Sequence, residues 1–227
     1  MKRHQRLAGA AAATVLATFG LAACGSDDAD EPESSETTPV EETEETEAAP
    51  AAEGTPSWAA EPTEGGELIS TIEAGDVTVE VYQMGTAPAP KDGNWVDPDT
   101  NEPLIAEGDD LVFLNYVVTN NGDPIDLGSS LVDVSARYDD WEYMQGMGGI
   151  TDSALAEEMG IVTSPIAEIA DPTVYTLGTG ESYSFGENFH YQADSPITFD
   201  VTITPVDENG DLIHDDKIEA EGTGTVA

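Results

Sequence analysis

Apolar and polar residues alternate with a period of two over much of the C-terminal part of this 227-residue chain. Val77, Val79 and Val81 alternate with Thr78 and Glu80, the pattern of a strand with one buried face. Ile197, Phe199, Val201 and Ile203 do the same against Thr198, Asp200, Thr202 and Thr204, and this is the cleanest strand in the sequence. The run Leu111–Val118 is apolar on both faces, which predicts a central strand covered on each side. Shorter strands are predicted at Leu131–Val134, Val174–Leu177 and Gly180–Phe185, with a last one between Ile218 and Val226. Asn120–Pro124 and Asp207–Asp211 supply turn chemistry between them. One short helix is predicted after Asp152, whose side chain can cap a run from Ala154 to Met159, with Gly160 as the stop. About eight strands over residues 67–227 predict an all-β, antiparallel sandwich with one helical excursion.

The chain before Glu67 is different material. Residues 25–66 hold fourteen Asp and Glu, no Lys or Arg, many Thr, Ser, Pro and Ala, and one isolated aromatic, Trp58. Repeats such as Glu41–Glu47 offer no apolar face, and ordering such a chain costs roughly 1–2 kcal/mol per residue with nothing buried in return. The expectation is a disordered acidic linker over residues 24–66, reaching at most about 140–150 Å. Residues 1–23 have a third character. Lys2, Arg3 and Arg6 precede an apolar run from Leu7 to Ala23, the order a secretory signal peptide requires. That run is short of the roughly 20 apolar residues of a membrane-spanning helix.

Charge narrows the classes of partner. The chain carries 47 acidic and 6 basic residues, a formal net charge of -41, and only Lys91, Arg137 and Lys217 remain beyond the apolar leader. Such a surface repels nucleic acid and excludes it as a partner. Cys24 is the one cysteine, so no disulfide framework is available.

Leu21-Ala22-Ala23-Cys24 resembles the lipobox of bacterial lipoproteins. The resemblance implies cleavage before Cys24 and a diacylglyceryl thioether on its sulfur, which anchors the chain to the outer face of the cell membrane. Two acyl chains suffice for stable attachment, where one binds reversibly. Within the strand region, Val117–Ile125, with its Asn-Asn-Gly-Asp-Pro corner, and Leu177–Ser182, with its Gly-x-Gly-Glu-Ser turn, look like the immunoglobulin-like domains of uncharacterised Gram-positive lipoproteins. That resemblance implies an immunoglobulin-like sandwich and carries no chemistry with it.

Two segments hold candidate chemistry. Asp97, Asp99 and Asn101 stand at the i, i+2, i+4 spacing with which calcium loops present oxygen ligands. An EF-hand does not continue, because Glu102 and Gly108 occupy the positions of the turn glycine and the bidentate glutamate. Glu107, Asp109 and Asp110 are near enough to complete an irregular site; the other reading is an ordinary turn. The same spacing recurs at Asp207, Asn209 and Asp211. Tyr138–Gly149 is the second segment, a Gly-rich stretch bearing Trp141, Tyr143, Met144 and Met147 without strand or helix period. Such side chains anchor protein interfaces, and they also plug the open end of a sandwich. No nucleophile elbow, zincin motif or phosphate loop occurs, so no catalytic residue is assigned. The sequence therefore predicts a lipid-anchored, extracytoplasmic binding or interaction module of the cell envelope, with another envelope protein as its partner and no enzymatic activity. The alternative is a calcium-stabilised structural surface domain.

Overall fold

The computed structural model describes residues 54–144 and 147–227. The expected signal peptide, the expected lipidation at Cys24 and the expected linker as far as Glu53 lie outside the described residues. Eight strands run in the order β1 (Glu67–Ala74), β2 (Val77–Pro88), β3 (Asp110–Asn120), β4 (Ile125–Tyr138), β5 (Tyr175–Leu177), β6 (Ser182–His190), β7 (Ser195–Pro205) and β8 (Ile218–Val226). A single α-helix among the described residues, α1 (Ser153–Glu158), falls between β4 and β5. Asp152 caps it by accepting from the Leu155 N–H, and Gly160 follows in the left-handed conformation, as the sequence predicts.

The strands form two four-stranded antiparallel sheets, β1-β2-β3-β6 and β5-β4-β7-β8. The two sheets pack face to face as an all-β sandwich, and the chain crosses between them after β3, after β5 and after β6. β1 is an additional strand on the β2 edge. It packs against β8, whose middle inward positions, Ala220, Gly222 and Gly224, are small: a Cβ on Gly222 would lie 2.3 Å from Ile72. The two sheets thus close on each other along that side.

Period two places the core. Val112, Leu114, Tyr116 and Val118 of β3 point between the sheets, where they meet Val79, Val81, Phe199 and Val201. Leu111 and Phe113 point the other way into a second cluster with Ile105, Ile150, Ala156 and Ile161. The excursion carrying α1 and the β2–β3 connection covers the outer face of the first sheet, so β3 is buried on both faces.

The described domain begins earlier than residue 67, and here the expected linker boundary is corrected. Gly54 bridges to Glu181, Ala60 N–H donates to the Pro165 carbonyl, and Thr63 N–H donates to Ser184 Oγ at 2.7 Å. Trp58 is only 9 % exposed, with its ring 5.3 Å from both Tyr175 and Tyr183 and its indole N–H on the Thr176 carbonyl. Residues 54–66 form a strap along the edge strand β6. Their acidic, proline-containing composition hides this, because one Trp with distant aromatic partners buries more than a local pattern reveals. Strand β1 is a further element that the sequence pattern does not predict.

The two corner motifs meet. Gly180 N–H donates to the Asn120 carbonyl at 2.7 Å, and Asn120 N–H donates to the Glu181 carbonyl. The chain crosses between sheets at this corner.

A groove at one end of the sandwich

Three segments gather where β4 and β6 end and β3 begins. The first is the β2–β3 connection, which turns back on itself between Val96 and Pro103. Asp97 builds that turn: one carboxylate oxygen accepts from the N–H groups of Asp99 and Thr100 at 2.7 and 2.9 Å. Its carbonyl accepts from Asn101 N–H, with Asn101 in the left-handed region. The second segment leaves β4 through Asp139 to Tyr143. Arg137 holds it by donating to the carbonyls of Trp141 and Tyr143, at 3.2 and 2.6 Å. The third is His190 to Gln192, where the Tyr138 hydroxyl donates to the His190 carbonyl and the Gln192 amide reaches Asp140.

Tyr143 joins the first two segments, its hydroxyl donating to the second Asp97 oxygen at 3.0 Å. The Trp141 and Tyr143 rings meet edge to face, 5.2 Å apart. Between the segments lies an open groove of ≈ 510 Å³. Its lining combines the carboxylates of Asp97, Glu102, Asp140 and Glu142 with Trp141, Tyr143, His190 and Gln192. Backbone donors from Thr100 and Asp99 hold the Asp97 carboxyl below its usual range, and its bond to Asp97 pushes the Tyr143 hydroxyl up.

The structure divides the predicted residues. Asp97 and Tyr143 are linked in the groove, and Trp141 stands half-buried between groove and core. Met147 is a correction to the expected partner patch. It is 6 % exposed inside the main core, its sulfur facing the Tyr138 N–H, and it plugs this end of the sandwich. Met144 is 97 % exposed. The one loop therefore plugs the sandwich with Met147 and leaves Met144 in solvent. Asp99 and Asn101 do not line the groove. Among the described residues no three His, Cys, Asp or Glu side chains gather as a metal site requires. At Asp207–Asp211 the Asp207 carboxylate likewise accepts from the N–H groups of Asn209 and Asp211 and shapes a turn.

Sequence reasoning does not single out Glu102, Asp140, Glu142 or Gln192 as groove residues. Nothing local marks them in so acidic a chain, and only the fold brings 97–104 beside 139–143 and 190–192. Trp95, 48 % exposed beside Gly148, is a further aromatic on this face.

Comparison of the chain with protein-family models, curated proteins and solved structures gives no match. No helix among the described residues is long and apolar enough to cross a membrane.

Proposed function

We propose that this protein is a lipid-anchored, extracytoplasmic binding module that presents the groove to another protein of the cell envelope. The observation that carries the reading is the convergence of two separate candidate segments, joined by Tyr143 and Asp97, in one groove with aromatic walls. Position supports it. The chain enters the described domain at Gly54 beside Glu181, at the end of the sandwich where β3 finishes and β6 starts. The groove lies at the other end, where β6 finishes at His190 opposite Leu111. Eleven residues of β3 separate the two ends by about 30 Å. The chain therefore enters the described domain at the end away from the groove. Exposed Met144, half-buried Trp141 and Tyr143, and exposed Trp95 have the composition of an interface centre.

Two experiments test this reading. Cys24→Ser is expected to release the chain from the membrane fraction or leave it unprocessed; a processed variant that still fractionates with membranes would overturn the anchor. A photo-crosslinking residue at position 144 in growing cells is expected to capture one envelope protein that the same residue at position 221, on the β8 edge, does not. Capture should disappear when Trp141 and Tyr143 are both changed to Ala. Identical captures from both positions would overturn the groove as the binding face.

A further inference from the structure

The binding reading leaves open what the groove recognises, and the inference that follows rests on it. We propose that the groove takes a short arginine-bearing segment of a partner protein, with guanidinium groups set between the carboxylates and the aromatic rings. Charge complementarity argues for it. Asp97, Glu102, Asp140 and Glu142 line the groove, and among the described residues no Lys or Arg does. The nearby Arg137 is turned to the carbonyls of Trp141 and Tyr143 and holds the wall in place. These carboxylates are too dispersed to close around one metal ion. Dispersed carboxylates suit a cation whose charges are dispersed as well. A guanidinium forks onto a carboxylate and also lies flat on a Trp or Tyr ring, so this mixed lining favours Arg over Lys. A volume of ≈ 510 Å³ matches a few side chains and falls within the usual range of ligand sites.

The same balance of charge excludes this chain as its own ligand. Beyond the leader it has three cations, Lys91, Arg137 and Lys217, far apart in sequence. A second copy, or its own acidic N-terminal segment, would bring carboxylate against carboxylate. The occupant is another protein.

The test uses the full chain in detergent and fluorescein-labelled peptides of alternating Arg and Gly, Lys and Gly, and Ser and Gly, read by anisotropy at low and physiological salt. The acidic N-terminal segment also attracts cations, so two charge-matched variants are compared. Glu102→Gln/Asp140→Asn/Glu142→Gln removes groove charge; Glu64→Gln/Glu67→Gln/Glu208→Gln removes as much from exposed positions outside it. The expected result is tightest binding of the Arg peptide, weakened tenfold or more by the first variant and less than twofold by the second. Far-UV circular dichroism and melting of both variants establish that they fold. Equal losses in the two variants would reduce the attraction to overall charge and overturn the proposal. Equal binding of the Ser peptide, or no binding of any peptide, would overturn it too. Each of these outcomes is distinct from failure of the groove as a binding face, which the capture at position 144 tests independently.

Discussion

Asn120 is 1 % exposed at the end of β3, and its side chain completes the corner where the chain changes sheets. Its amide N–H₂ donates to the carbonyls of Asp123 and Leu177, at 2.8 and 2.9 Å, while its oxygen accepts from Gly122 N–H. Removing it strands a buried carbonyl and a turn N–H, at roughly 1–3 kcal/mol per group. Asn120→Ala should therefore lower stability by roughly 3 kcal/mol in chemical denaturation; an unchanged midpoint would mean the corner rearranges freely. Glu187 behaves differently. Its half-buried carboxyl receives the hydroxyl of fully buried Tyr116. Burial pushes its pKa up to about 7, opposed by the Tyr116 bond and aided by the charge of Asp133. A pKa raised in the folded state contributes stability below the unfolded value near 4.5, and that contribution is lost as pH rises through about 7. The span amounts to roughly 3 kcal/mol. Glu187→Gln keeps an acceptor for Tyr116 and cannot ionise. Its melting temperature should exceed that of the natural chain at pH 8.5 and match it near pH 4, below both values, and equal values at both would contradict the shift. Asp97 and Asp207 act with the opposite sign, since their lowered pKa values cost stability only when acid protonates them.

At the scale of elements, period-two patterning carries most of what the sequence reveals. β2, β3 and β7 are legible because their inward residues are large and uninterrupted. β4 is legible only at Leu131–Val134, because Gly128-Ser129-Ser130 interrupts it where its pairing passes from β5 to β7 with a register shift. β1 escapes because its inward residues, Ser70, Ile72 and Ala74, are mostly small or polar, and small is what the close approach to β8 requires. The strap over 54–66 escapes for another reason: its burial depends on Tyr175, Tyr183 and Ser184, more than a hundred residues away. It yields a direct test. Shortening the chain to begin at Gly54 should leave the melting temperature unchanged, whereas beginning at Glu67 should lower it markedly by uncovering two tyrosines. Trp58→Ala alone should cost about 3–5 kcal/mol. A domain equally stable from Glu67 onward would show the strap to be dispensable. The candidate site is legible in the same partial way. Asp97, Trp141 and Tyr143 stand out by residue type, but their meeting depends on three connections brought to one end of the sandwich.

The whole molecule is governed by its charge. Between Gly54 and Ala227 the chain carries 35 carboxyl side chains and three cations, Lys91, Arg137 and Lys217. Two of these cations are engaged locally: Lys91 donates to the Thr151 carbonyl and Arg137 to the wall of the groove. Lys217 pairs with Glu219 at 2.7 Å, an exposed contact worth little in water. Attraction between side chains therefore offsets little of the repulsion among the carboxylates, and compactness rests on the two apolar clusters and the sheet hydrogen bonds. Salt acts on such a molecule in a definite direction. Raising ionic strength from about 0.1 M to about 1 M shortens the screening length from about 10 Å to about 3 Å and weakens repulsion across the surface. If screening relieves about 2 kcal/mol, the melting temperature of a domain this size should rise by roughly 4–8 °C in sodium chloride. The same screening should weaken binding of the arginine peptide, because attraction at the groove and repulsion over the rest of the surface share one origin. A protein that melts lower in high salt would place attractive ion pairs, not repulsion, in control of its stability. That outcome would also remove the charge argument for a basic partner, so a single salt titration bears on both the fold and the groove.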